Sequence, residues 1–175
     1  ARFGNTLDFG YQYLNDAGNI RQRRLTYGAF NPVFFFGNLL VATIRPPKIT
    51  LNWNEQPALK IEPDAWGMGI LWTCPLLLMA GIVFLNPSPD TSEKPENVLL
   101  AVTIVVVILP SLLYHNTGSA QFGYRFILDA LPFWMILLAR AARKIPLAIL
   151  VPLTGYCMVV NLIGFYWIAN LIEPH

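Results

Sequence analysis

Arg125 and Asp129, four residues apart in the run from His115 to Asp129, are the ionisable pair with the clearest chemical potential. On an α-helix that spacing places both side chains on one face. Two compatible readings follow. The pair is an intramolecular ion pair that lets a helix begin with charge at a membrane boundary, or the planar Arg125 fork meets an anionic group such as a lipid phosphate. In the second reading Asp129 orients the guanidinium. Tyr124 and His115 flank the same run, where such side chains more often anchor an interface than catalyse.

Other polar groups carry less. Asn161 and Asn170 lie in an apolar stretch, where an amide usually bonds a neighbouring helix. Arg21, Arg23 and Arg24 form a basic cluster suited either to lipid head groups or to a solvated loop. The carboxylates Asp8, Asp16, Glu55, Glu62 and Asp64 are available as bases or metal ligands but show no recognisable pairing. Cys74 and Cys157 fall in apolar runs and read as buried free thiols. With two histidines and no Cys/His cluster, a metal site of soft ligands is not expected. No phosphate loop, dinucleotide fingerprint, nucleophile elbow or zinc-protease motif occurs. A net charge of +2 leaves no nucleic-acid footprint.

The elements that must position these residues are apolar. Of 175 residues, 55% are hydrophobic and 13% charged, against roughly 25% charged in average soluble chains. The deficit concentrates between Gly67 and Ile172, where runs approach the ~20 residues that cross a bilayer. The expected fold is therefore all-α and polytopic, with about four spans at 66–85, 98–114, 125–139 and 146–172. Pro75, Pro110 and Pro132 interrupt three of them, and Asp129 makes the third the weakest. Residues 1–65 form a separate outer segment: a loop with a short helix near 19–27, an amphipathic or re-entrant helix over 29–44, and a polar connector over 48–65. Phe30, Val33, Phe34, Gly37, Leu40, Val41 and Ile44 recur at helical spacing, and Pro46-Pro47 ends that helix.

The basic loop 140–145, with Arg140, Arg143 and Lys144, belongs on the cytoplasmic side. Alternation then places 115–124 and 1–65 outside and 86–97 inside, although the outer segment is itself rich in Arg and Lys. The chain starts at Ala1 without an initiator Met or a secretory leader, and reads as a portion of a longer protein.

The stretch Gln121-Phe122-Gly123-Tyr124-Arg125-Phe126-Ile127-Leu128-Asp129-Ala130-Leu131-Pro132-Phe133 resembles one near the C-terminal end of the membrane core in bacterial polytopic glycosyltransferases. These have the GT-C architecture and are relatives of the protein mannosyltransferases of glycosyltransferase family 39. Ala1–Tyr11, Glu62–Gly67 and Trp72-Thr73-Cys74-Pro75 resemble other stretches of that family in the same order. The resemblance implies an enzyme of the bacterial inner membrane that moves a sugar from a polyprenyl-phosphate donor to an acceptor on the outer face. It also implies a catalytic acid, often with a divalent metal, in an early outer loop absent from this sequence. No catalytic residue is therefore carried over. Tyr124, Arg125 and Asp129 are the candidate contacts to the lipid phosphate. A non-catalytic module, such as part of a transporter or flippase, is the alternative.

Overall fold

A computed structural model describes residues 18–52, 58–85 and 93–172, excluding the side chains of 51, 52, 58, 59, 171 and 172. Asp8, Asp16, Glu55, the stretch 1–11 and most of the loop 86–97 lie outside the described residues. The molecule is mostly helical. In chain order come α1 (Gly18–Tyr27), α2 (Phe35–Thr43), β1 (Lys48–Asn52), β2 (Ala58–Glu62), β3 (Trp66–Met68), α3 (Ile70–Thr73), α4 (Ile82–Leu85), α5 (Glu93–Leu112), β4 (Gln121–Gly123), α6 (Leu131–Ala142) and α7 (Leu147–Ile172). Three 3-10 helices, Pro32–Phe34, Pro75–Gly81 and Arg125–Ala130, lead into α2, α4 and α6.

Two small sheets depart from the all-helical expectation. β1 and β2 pair antiparallel as a hairpin, and β3 pairs parallel with β4. The run 66–85 is accordingly not one helix. Gly67 adopts a positive φ of 92°, and Gly69 is extended, so the chain stays in strand geometry before α3. A side chain at Gly69 would collide with the Thr43–Ile44 backbone, which passes directly over it. Cys74 then leaves the helical region (φ −155°, ψ 67°), as the residue before a proline tends to do. Pro75 starts the 3-10 helix in the position where its missing N–H is harmless.

The core is built where the 3-10 helix Pro75–Gly81 and α5 pack on α6. Ala130 and Ala141 are fully buried, and Ala80, Val83, Leu137 and Leu138 are buried in the same cluster. Small residues at these points let the backbones approach closely. Trp134 donates its indole N–H to the Leu77 carbonyl at 2.9 Å, satisfying an acceptor in the irregular segment. At the far end of this core, Arg140 reaches Asn97 (2.7 Å) and Glu96 (2.5 Å), and Arg143 reaches Glu93 (2.6 Å). These contacts tie the first turn of α5 to the last residues of the α6 segment.

The opposite end is a polar cap layer. The α5 C-terminus leaves carbonyls without helical partners. Asn38 of α2 donates to two of the carbonyls there, Leu112 at 2.9 Å and Tyr114 at 2.7 Å. The start of α2 is pinned to the same place, since Asn31 N–H donates to Leu113 and His115 N–H to Ala29. Its end meets Gly69, whose N–H donates to Arg45 at 2.9 Å. Start, middle and end of α2 all touch one layer, so this helix lies across the end of the bundle rather than along it.

α5 and α7 are long and apolar enough to cross a membrane. Only 17% of the apolar window of α5 and 11% of that of α7 is buried inside the molecule. Val102, Val105 and Val106 on α5, and Met158, Leu162 and Phe165 on α7, are among the large side chains turned outward. A helix that is apolar all round and uncovered by protein favours lipid over water. This surface points to membrane association.

Candidate functional site

Gln121 organises the site. Its buried side-chain amide donates to the carbonyls of Trp66 (2.9 Å) and Thr117 (2.7 Å), and its Oε1 accepts from Arg125 N–H at 3.4 Å. Gly67 and Gly118, both at positive φ, make room for it; a Cβ at either would lie under 3 Å from the amide. The turn leading in is tight. Asn116 Oδ1 accepts from Gly118 N–H, and Ala120 is held at φ 52°, a conformation that costs a non-glycine residue about 1–2 kcal/mol.

Beside this turn a cavity of about 480 Å³ opens between α3, the 3-10 helix Arg125–Ala130 and α7. That volume is in the ordinary range of small-molecule sites. Its walls are mainly apolar, with Ile70, Leu77, Phe122, Leu128, Phe165 and Ile168 among the lining residues. α7 forms the outer wall and is held by few contacts. Asn161 donates to Thr73 at 3.0 Å, Tyr156 donates to Trp72 at 3.0 Å, and the Phe122 ring is seated against the bare backbone of Gly164. Asn161 thus bonds across helices, as an amide in an apolar stretch is expected to do.

Arg125 lines the cavity and is exposed, its guanidinium 5.4 Å from the centroid of the Phe126 ring. Among the described residues it has no carboxylate partner. The expected pair with Asp129 is not formed, because residues 125–130 are a 3-10 helix rather than an α-helix. With three residues per turn, positions four apart point about 120° from one another. Asp129 is exposed just ahead of α6, where the helix dipole favours a carboxylate.

Tyr124 is turned inward. Its hydroxyl donates to the Ser111 carbonyl at 3.1 Å near the end of α5, so the phenol braces the cap while the residue contributes to the cavity wall. Burial raises its pKa, and the nearby Ser111 side chain offsets part of that rise. His115 is buried against the Tyr114 ring at 4.3 Å between centroids, within the cap rather than on its surface. Of the three expected contacts, the structure leaves Arg125 and Tyr124 in the cavity wall, the tyrosine with its hydroxyl held by Ser111, and Asp129 outside the lining.

The remaining candidates are dispersed. Asp64 is buried and paired with Arg45 at 2.6 Å, and its other oxygen accepts from Trp66 N–H. Arg23 stacks on Phe34 at 4.9 Å. Cys74 and Cys157 are free thiols. Among the described residues no three His, Cys, Asp or Glu side chains converge. Gln121, Asn38 and the Arg45–Asp64 pair carried no recognisable sequence signal, because each acts through backbone groups or a partner distant in the chain. No family model, characterised protein or solved structure matches this chain.

Proposed function

We propose that this chain is the C-terminal membrane part of a glycosyltransferase that uses a polyprenyl-phosphate-linked sugar on the outer face of a bacterial inner membrane. The observation that carries the reading is an arginine, without a carboxylate partner among the described residues, at an apolar cavity beside the polar cap layer. An anionic head group with a hydrocarbon tail matches both halves of that site. The Arg125 fork would hold the phosphate, and the apolar walls would take the first part of the prenyl chain. In the reaction an acceptor hydroxyl attacks the anomeric carbon, and the bond from that carbon to the phosphate oxygen breaks. The electron pair leaves with the lipid phosphate, where Arg125 offsets the gathering charge. The base that takes the hydroxyl proton is assigned to another part of the protein.

Four crossings accompany this reading. α5 and α7, of 20 and 26 residues, are ~30 and ~39 Å long at 1.5 Å per residue. The stretch from Ile70 to Leu85 supplies up to ~26 Å, and that from Arg125 to Ala142 up to ~30 Å, against ~30 Å of bilayer core. Charge on the short loops then puts 140–145 inside and 1–65 with 115–124 outside.

A transporter-like module is the second reading, favoured by the broken segment at Cys74-Pro75 beside the cavity. Sugar transfer by membranes containing the intact protein separates the two. Arg125→Ala is expected to lower transfer from a polyprenyl-phosphate sugar by about 10²-fold with membrane yield unchanged. A parallel loss of yield and activity, or full activity, would reject the phosphate role. Lipid translocation without sugar transfer would favour the transporter.

A further inference from the structure

The β1–β2 hairpin is amphipathic in a way that the polar composition of residues 48–65 conceals. Its register pairs Lys48 with Glu62, Ile49 with Ile61, Thr50 with Lys60, and Leu51 with Leu59. Side chains alternate across a strand, so Ile49 and Ile61 share one face while Lys48, Thr50, Lys60 and Glu62 share the other. The Lys60–Glu62 ion pair at 2.7 Å runs along that polar face. Ile49 and Ile61 are each 61% exposed, and the two strands pack mainly on one another. An isolated two-stranded hairpin with a bare apolar face is marginal in water. Something must cover it.

The hairpin's place in the fold indicates what. Its root is closed by Arg45 and Asp64, and Arg45 is bonded through its carbonyl to Gly69 in the cap layer. Immediately before it, α2 and the 3-10 helix that leads into it lie across that layer, burying Phe34, Asn38 and Ala42. The opposite stripe, Val33, Phe36, Leu40 and Ile44, is entirely apolar and at least half exposed. A helix that buries an amide and turns large apolar groups outward suits the boundary between hydrocarbon and head groups. The Ile49–Ile61 face follows that stripe after only Arg45, Pro46, Pro47 and Lys48. Lys48 and Lys60 outnumber Glu62 on the polar face, which suits contact with lipid phosphates.

We propose that the β1–β2 hairpin is a membrane-surface element, seated on the same leaflet as α2 with Ile49 and Ile61 in the interfacial lipid. The proposal rests on the membrane placement argued above but not on what the cavity binds. The test uses the full chain with Cys74→Ser and Cys157→Ser, carrying one fluorophore at a time on Ile49→Cys, Ile61→Cys, Thr50→Cys or Lys60→Cys. The protein is reconstituted in phosphatidylethanolamine–phosphatidylglycerol vesicles, with Val159→Cys on α7 as the bilayer control. Quenching by lipids spin-labelled near the head group is expected to be at least about threefold stronger at 49 and 61 than at 50 and 60, with aqueous iodide showing the reverse order. If the α7 label is quenched by lipid but 49 and 61 respond only to iodide, the hairpin stands in water and the proposal is wrong. Shielding of 49 and 61 from both quenchers would also overturn it, in favour of a protein occupant. An α7 label untouched by lipid would remove the membrane placement itself.

Discussion

At the scale of the residue, Tyr124 shows how a side chain expected to meet a ligand is occupied by the fold. Its hydroxyl donates to Ser111, one residue past Pro110, at the end of a helix that runs out of N–H donors. Tyr124→Phe removes this bond and leaves a part-buried acceptor less satisfied, at a cost of about 1 kcal/mol. The ionisation carries a further signature. Because burial raises the folded-state pKa above the unfolded one, deprotonation is resisted by the fold. The stabilisation is therefore complete below the ordinary phenol pKa of about 10 and is lost as pH climbs through the raised folded value. Thermal melts of detergent-solubilised protein over the alkaline range should show a fall in stability for the native chain that is shallower in Tyr124→Phe. Equal pH dependence in both would place the tyrosine at the surface. Arg125, in contrast, braces nothing among the described residues with its guanidinium beyond its contact with Phe126, and that is why it remains the group to test for ligand binding.

Elements in this molecule are held at a few points, and α7 is the clearest case. Its contacts are chiefly with α3, the 3-10 helix Pro75–Gly81 and β4, and Gly164 is where the Phe122 ring comes against its backbone. A Cβ at Gly164 would lie about 2.5 Å from ring atoms of Phe122, so Gly164→Ala must push the ring or the helix away. Overpacking of this kind costs about 1–3 kcal/mol. The expected result is a lowered melting temperature together with faster proteolysis or labelling of Cys157, which the packed helix buries. An unchanged melt with Cys157 still protected would show that α7 docks elsewhere. The same element scale explains what could be read from sequence. α5 and α7 were legible because apolar runs of near-bilayer length have few alternatives, and α2 was legible from a helical repeat ended by two prolines. The hairpin was hidden because Lys and Glu on one face mask the alternation when the sequence is read by polarity alone. β3 and β4 are three residues each, and their pairing depends on a contact across more than fifty positions. Of the cavity, Arg125 and Tyr124 were legible as candidate contacts. Its walls come from three separated segments, and the Arg125–Asp129 spacing suggested an α-helix where the chain forms a 3-10 helix.

The whole molecule has two polar ends separated by apolar surface. One end holds Glu93, Glu96 and Asn97 against Arg140 and Arg143; the other holds Asn38, Asp64, His115 and Gln121 in the cap. α5 connects them, with Lys94 exposed in its first turn and Ser119 exposed in the turn beyond its far end. In water such a body would present the valines of α5 and most of α7 to solvent, whereas in a bilayer its two polar ends fall in the two head-group regions. This arrangement gives a decisive labelling experiment. On a Cys74→Ser, Cys157→Ser background in oriented proteoliposomes, a membrane-impermeant maleimide is expected to reach Ser119→Cys from one side only and Lys94→Cys from the other only. Because a helix of 20 residues at ~30 Å matches the bilayer core, no partial insertion of α5 satisfies both results. Labelling of both positions from the same side would mean that α5 does not cross. The cap would then not lie opposite the arginine-rich end, and the outer-face position proposed for Arg125 would fall.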